Sequence, residues 1–460
     1  MCLRKEYVMA KEVSPGVKAL RQVVEDVYAE AREAKKQGKP VGWSSSKFPC
    51  ELAAAFDLNV CYPENQAAGI AANRDGEIMC QAAEDLAFDN DICGYARISL
   101  AYAAGKRAAK KLDPETLEYV INPETEKPYT ELVDINEIWA MPEGEEKEKR
   151  LAAIKPYRQM QMPMPDFVLC CNNICNCMTK WYENIARMHD IPLVMIDIPY
   201  NNTVEVDDTY VAYIRGQFDK AIEQLEKISG KKFDEKKFED ACANANRTAQ
   251  AWLKVCDYLQ YKPAPMSGFD LFNHMADVVT ARGRLAAAEA FELLATELEE
   301  NVKTGKSTLP FPEEYRVMFE GIPCWPKLPA LFRPLKKNGV NVTAVVYAPA
   351  FGFVYNGMDE MVRAYCKAPN SVCIEQGVDW REGICRANKV DGVLVHYNRS
   401  CKPWSGYMAE MQRRFTADLG IPCAGFDGDQ ADPRNFNEAQ YETRVQGLVE
   451  AMEANRLAKE

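Results

Sequence analysis

Six short apolar runs recur along the chain: KPVGWSSS (39–46), DFVLCCNN (166–173), IPLVMIDIP (191–199), NVTAVVYAPAF (341–351), VDGVLVHYNRS (390–400) and IPCAGFDGD (421–429). Each is apolar along most of its length instead of alternating, the pattern of a parallel strand covered on both faces. Each adjoins a segment of helical period, so the chain reads as α/β. From about 204 to 302 the pattern is helical throughout, as in FDKAIEQLEKISG and RLAAAEAFELLATELEENVKTG, where Gly closes the helix. The expected fold is therefore two parallel-sheet domains of Rossmann/flavodoxin type, residues 1–203 and 326–460, joined by a helical region over 204–325. Residues 107–160 are charged, proline-bearing and weakly periodic, and read as a surface excursion inserted in the first domain.

At 460 residues the chain is too long for a single ordinary core. Nowhere does it approach the roughly 20 consecutive apolar residues of a membrane helix. Its opening residues lack the apolar segment and small-residue cleavage site of a secretory signal, so a cytoplasmic location is expected. A formal charge of −12, with no compensating basic face, argues against nucleic acid as a partner. The cysteine count is 17, an odd number in a long chain without a signal, which points to reduced thiols or metal ligation and away from a disulfide framework. For most of these cysteines the ordinary role is that of a small buried hydrophobe.

Familiar nucleotide and hydrolase motifs are absent. The GKS of KTGKSTLP would need a glycine at position 300, where Glu300 stands, to form a phosphate loop, and so reads as a helix end. No dinucleotide glycine fingerprint follows an expected strand, and there is no G-x-S-x-G elbow. With only His189, His274 and His396, histidine-based metal or triad chemistry has little material. The stretch CCNNICNC spaces Cys170, Cys171, Cys175 and Cys177 in a way that fits neither a zinc ribbon nor a bacterial ferredoxin.

Position says more than spacing. Cys175 follows the strand DFVLCCNN at its carboxyl end, where open α/β sheets bind ligands, and Cys401 follows VDGVLVHYN in the same way. Cys93, in DNDICGYAR, lies where a polar segment gives way to a helix. Three thiolates from three distant segments could converge on one soft metal or cluster and leave a coordination position open.

The segments WSSSKFPCELAAAF, YPENQAAGIAAN, DNDICGYAR, CCNNICNCMTKWYE, HYNRSCKPWSG and IPCAGFDGDQADPRNF together resemble the family of 2-hydroxyacyl-CoA dehydratases and benzoyl-CoA reductases. The resemblance spans nearly the whole chain and includes the long excursion after Cys93. It implies a heterodimer with a related beta subunit, a separate ATP-dependent iron–sulfur activator protein and an acyl-CoA substrate, (R)-2-hydroxyglutaryl-CoA. It implies a 4Fe-4S cluster held by Cys93, Cys175 and Cys401, with Cys171 and Cys177 as alternatives for Cys175. It also admits a flavin, FMN or riboflavin, elsewhere in the complex. Ser46 and Glu64 match the residues that flank the open iron position, with Ser44 and Ser45 competing for the serine role.

The chemistry that the resemblance implies explains such a cluster. Loss of water from a 2-hydroxyacyl thioester needs a barely acidic β-hydrogen to leave, while hydroxide departs from the α carbon. One electron added to the thioester gives a ketyl radical anion that expels the hydroxyl and acidifies the β-hydrogen; the electron is recovered at the end. Arg74, Arg97 and Arg399 are the candidate cations for a distal substrate carboxylate. The competing readings are a dehydratase for a lactoyl or phenyllactyl thioester, a subunit of benzoyl-CoA reductase type, and a non-catalytic electron-transfer or scaffold subunit.

Overall fold

The structure, a computed structural model, describes residues 13–156 and 161–458. Eight strands build two parallel sheets: β1 (Val41–Ser44), β2 (Asn59–Cys61), β3 (Phe167–Cys171) and β4 (Leu193–Ile196) in the first, β5 (Tyr315–Glu320), β6 (Val340–Val345), β7 (Gly392–Asn398) and β8 (Cys423–Gly428) in the second. Their orders are β2-β1-β3-β4 and β6-β5-β7-β8, so the second sheet repeats the first. In each, the order reverses between the first and third strands, and a crevice opens outside the carboxyl ends at that reversal. The strands β1, β3 and β6 are buried at every residue; β3, FVLCC, is accordingly apolar throughout, while β6, VNVTAV, buries the polar side chains of Asn341 and Thr343. Edge strand β8 is only partly covered, and its pattern is correspondingly mixed.

Two strands lie outside the six apolar runs. At three residues, β2 is too short to show a period. Strand β5, YRVMFE, is the central strand of the second sheet and falls within the stretch that reads as helical connection. It carries two charges, each buried and paired inside the fold. Arg316 is held by Glu313 at 2.7 Å and by the carbonyls of Tyr261 and Asn388, each at 2.8 Å, and Glu320 by Arg381 at 2.9 Å.

Four long helices fill 208–304. Asp208–Ser229 packs on β4, Gly268–Ala281 on β6, and Glu235–Asp257 pairs with Leu285–Thr304. The last of these ends at Gly305 with φ +67°, whose N–H closes on the carbonyls of Asn301 and Val302, so the GKS segment is a helix terminus. Helix Pro15–Lys36 lies across the same bundle, with Glu297 taking both the Ser14 hydroxyl at 2.6 Å and the Gly16 N–H at 2.7 Å. The excursion after Cys93 folds as an antiparallel ribbon, Lys106–Lys110 against Thr130–Asp134, with a small hairpin and two short helices. Among the described residues no helix is long and apolar enough to cross a membrane.

Candidate functional site

The carboxyl edges of the two sheets face a common cavity of about 650 Å³. Ser46, from the loop after β1, reaches it from the first sheet, together with Cys175 after β3. Cys401, after β7, reaches it from the second sheet. Cys175 and Cys401 thus occupy equivalent places, each past the third strand of its sheet. Cys93 and Glu64 complete the set from helices between β2 and β3.

The three cysteines are presented alike. Cys93 immediately precedes helix Gly94–Ala103, Cys401 precedes the turn Lys402–Ser405, and Cys175 stands two residues before helix Cys177–His189. In each case the backbone N–H three residues further on favours the thiolate: that of Ala96 for Cys93, Met178 for Cys175 and Trp404 for Cys401. Gln430 Nε2 adds a donor to Cys93 Sγ at 3.2 Å. The Gly94 N–H donates to Ser400 Oγ at 2.9 Å and ties the Cys93 segment to the Cys401 loop. Burial pushes the Cys401 thiol up to about 12 and that of Cys175 well above its ordinary range, and the charges of neighbouring thiols push in the same direction. Contact with Cys177, added to burial, raises Cys93.

Of the other thiols in the CCNNICNC stretch, Cys170 and Cys171 are fully buried core residues that do not line the cavity, whereas Cys177 lines it beside Cys93. Among the described residues every cysteine is free, and no three His, Cys, Asp or Glu side chains are gathered as a ready-made site for a metal ion.

Of the three serines, only Ser46 lines the cavity. Ser45 Oγ points back to accept the Cys171 N–H at 3.0 Å, and Ser44 donates to the Ser45 carbonyl at 3.1 Å. Glu64 opens helix Pro63–Ala72 and is clamped by the Ser46 N–H on Oε1 and the Tyr182 hydroxyl on Oε2, both at 2.9 Å. Burial raises its carboxyl above the ordinary value, against the pull of these donors.

The candidate arginines separate cleanly. Arg74 lines the cavity at its outer end. Arg97 is fully buried and bonds Glu84 at 2.8 Å, Asp432 at 3.0 Å and the Ile92 carbonyl at 3.0 Å; Arg399 is exposed and away from the lining. Tyr95, Trp181, Tyr347 and Trp404 wall the inner cavity, and none stands out in the sequence, where such aromatics read as core. Gln430 follows β8, and the rule that picks out Cys175 and Cys401 could have found it too.

A family model described as 2-hydroxyglutaryl-CoA dehydratase, D-component, matches residues 45–452. The chain belongs to this family. It is 72% identical, over 97% of its length and 99% of the relative's, to the (R)-2-hydroxyglutaryl-CoA dehydratase subunit alpha of Acidaminococcus fermentans. Against the (R)-phenyllactyl-CoA dehydratase alpha subunit of Clostridium sporogenes the identity is 47% over 96% of both chains. A distant relative, a benzoyl-CoA reductase subunit of Thauera aromatica, is 25% identical over 64% of this chain and 72% of its own. The family match covers all five candidate site residues, Ser46, Glu64, Cys93, Cys175 and Cys401.

Proposed function

We propose that the chain is the alpha-type subunit of a 2-hydroxyacyl-CoA dehydratase, a hydro-lyase that converts (R)-2-hydroxyglutaryl-CoA into glutaconyl-CoA and water. The observation that carries this reading is the convergence of Cys93, Cys175 and Cys401 on the cavity that also holds Ser46 and Glu64. The similarity to the glutaryl-type relative, against 47% to the phenyllactyl-type one, favours the glutaryl substrate.

The donor set suits a 4Fe-4S cluster. Three soft thiols begin three helical segments, where the backbone N–H groups of the first turn favour thiolate, the kind of donor that tunes iron–sulfur centres. When bound, such a cluster supplies one electron and a Lewis-acidic iron for the thioester oxygen. Cys93, Cys175 and Cys401 would hold it, in the cavity that Ser46 and Glu64 also line.

Glu64, raised by burial, holds a proton at the cavity wall and hands it to the departing hydroxyl; the Ser46 N–H and Tyr182 hydroxyl fix its orientation. The aromatic wall keeps bulk water from the reacting thioester. A related beta subunit and an ATP-dependent iron–sulfur activator complete the system, the latter because the chain has no phosphate loop of its own; a flavin, FMN or riboflavin, belongs elsewhere in the complex. The test is anaerobic copurification with the neighbouring subunit, iron and sulfide quantification, and assay with several 2-hydroxyacyl-CoA esters. A complex without iron, or one inactive on every ester after activation, defeats the reading.

A further inference from the structure

Helix Pro63–Ala72 runs along the cavity from its floor to its mouth. Its lining residues are Glu64, Asn65, Ala68, Gly69 and Ala72, followed by Asn73 and Arg74. Their exposure rises in that order: Glu64 and Asn65 are buried, Ala68 and Gly69 half-buried, and Ala72, Asn73 and Arg74 exposed. The middle of this wall presents only small side chains, which leaves a smooth passage for a narrow, extended ligand.

Eight residue steps separate Glu64 from Ala72, about 12 Å at helical rise, and Arg74 stands two residues beyond the helix end. A glutaryl chain from thioester carbon to distal carboxylate spans only roughly 5 Å at ordinary bond lengths. An extended pantetheine arm, about thirteen bonds from sulfur to phosphate, spans roughly 16 Å on the same basis. With the thioester beside Glu64, Arg74 stands where the carrier's phosphates emerge, and too far away to read the acyl carboxylate.

A second arginine lines the same cavity. Arg21, on the face of helix Pro15–Lys36 that also supplies Val17 and Val24 to the lining, is exposed at the cavity. The carboxyl in whose field it lies, Asp277, is shared with His274, whose Nδ1 is 3.4 Å from Asp277 Oδ2. Arg74 has φ +67°, a left-handed position that glycine or asparagine ordinarily takes at a helix end.

We propose that Arg21 and Arg74 form the phosphate clamp for the nucleotide end of the acyl carrier, a coenzyme A thioester. This rests on the dehydratase reading above. The experiment compares the wild-type complex with Arg21→Ala, Arg74→Ala and the double variant on two substrates: the CoA thioester, and the pantetheine thioester, which lacks the nucleotide and its phosphates. Each single change should lower the preference for the CoA ester, as a ratio of kcat/KM values, about tenfold, through KM, and the double change further. Calorimetry with free CoA on the same proteins should show matching losses in affinity that shrink as salt rises. An unchanged preference, or an equal loss on both thioesters, overturns the clamp. If the wild-type complex dehydrates neither ester, the reaction assignment fails while the CoA titration still decides the clamp.

Discussion

The buried ion pair between Glu320, at the end of central strand β5, and Arg381 should be one of the most sensitive points in the second sheet. Both side chains are fully buried, and Arg381 Nε meets Glu320 Oε1 at 2.9 Å. Arg381 also donates to the Gly377 carbonyl at 2.9 Å and, through Nη2, to the Tyr407 hydroxyl oxygen at 2.8 Å. Replacing Arg381 by Met keeps its length but strands a carboxylate in an apolar interior, at about 3 to 5 kcal/mol. Removing both charges, as in the double variant Glu320→Leu with Arg381→Met, should recover most of that loss, because two well-packed apolar side chains replace a pair whose attraction only offset its desolvation. Burial already raises the Glu320 carboxyl, and only Arg381 and Trp404 oppose it. In Arg381→Met the carboxyl rises further. Above the unfolded-state value the native variant then keeps a proton that the unfolded chain has lost, so its stability should fall as pH rises from the ordinary carboxylate range. The consequence reaches the site through Trp404, whose ring centroid lies 5.6 Å from the Arg381 guanidinium and which lines the cavity with Cys401. Urea unfolding of wild type, both single variants and the double variant at several pH values supplies the cycle, and iron content of the anaerobic complex reports on Cys401. A cost below about 1 kcal/mol for Arg381→Met, or a double variant no more stable than it, refutes the reasoning.

Cys93→Ser, Cys175→Ser and Cys401→Ser should each lose iron, sulfide and dehydratase activity, whereas Cys170→Ala should retain all three and cost about 1 kcal/mol in packing; a Cys175→Ser complex with full iron and activity would move the ligand to Cys177, the other cavity thiol of the stretch. Tyr182→Phe takes a donor from Glu64 Oε2, so the carboxyl should rise further and the alkaline limb of the pH–rate profile move upward, with the fold retained; a downward or absent displacement means that Glu64 does not act as the acid. The coexpressed pair should elute from size exclusion as a stable heteromer, and a lone chain with full activity would contradict it. Turnover of (R)-2-hydroxyglutaryl-CoA should exceed that of lactoyl-CoA in a side-by-side assay, and equal rates would remove the substrate assignment while leaving the reaction class in place.

Local composition determined the α/β class, because strands covered on both faces are apolar along most of their length and six of the eight fall in such runs. It also marked the end of helix Leu285–Thr304 at Gly305, since a left-handed terminus selects glycine within a few residues. Strand β5 escaped for a physical reason: Arg316 and Glu320 are tolerable in a central strand only because Glu313, Arg381 and carbonyls from distant segments satisfy them, and none of those partners is visible from YRVMFE. The repeated strand order is likewise a property of pairing, and the chain shows no matching repeat of residues. At the site, position drew attention to Cys175 and Cys401 at strand ends and to Cys93 at a helix start, and resemblance added Ser46 and Glu64. Which serine faces the cavity depended on the chain's turn after β1, which aims Ser45 back at Cys171 and lets Ser46 lie against Glu64. Three arginines looked interchangeable in sequence; the fold buried Arg97 between two carboxylates, left Arg399 outside and set Arg74 at the cavity mouth. Burial pattern is written into neighbouring residues, but convergence depends on contacts hundreds of residues apart, and only the packed chain decides those.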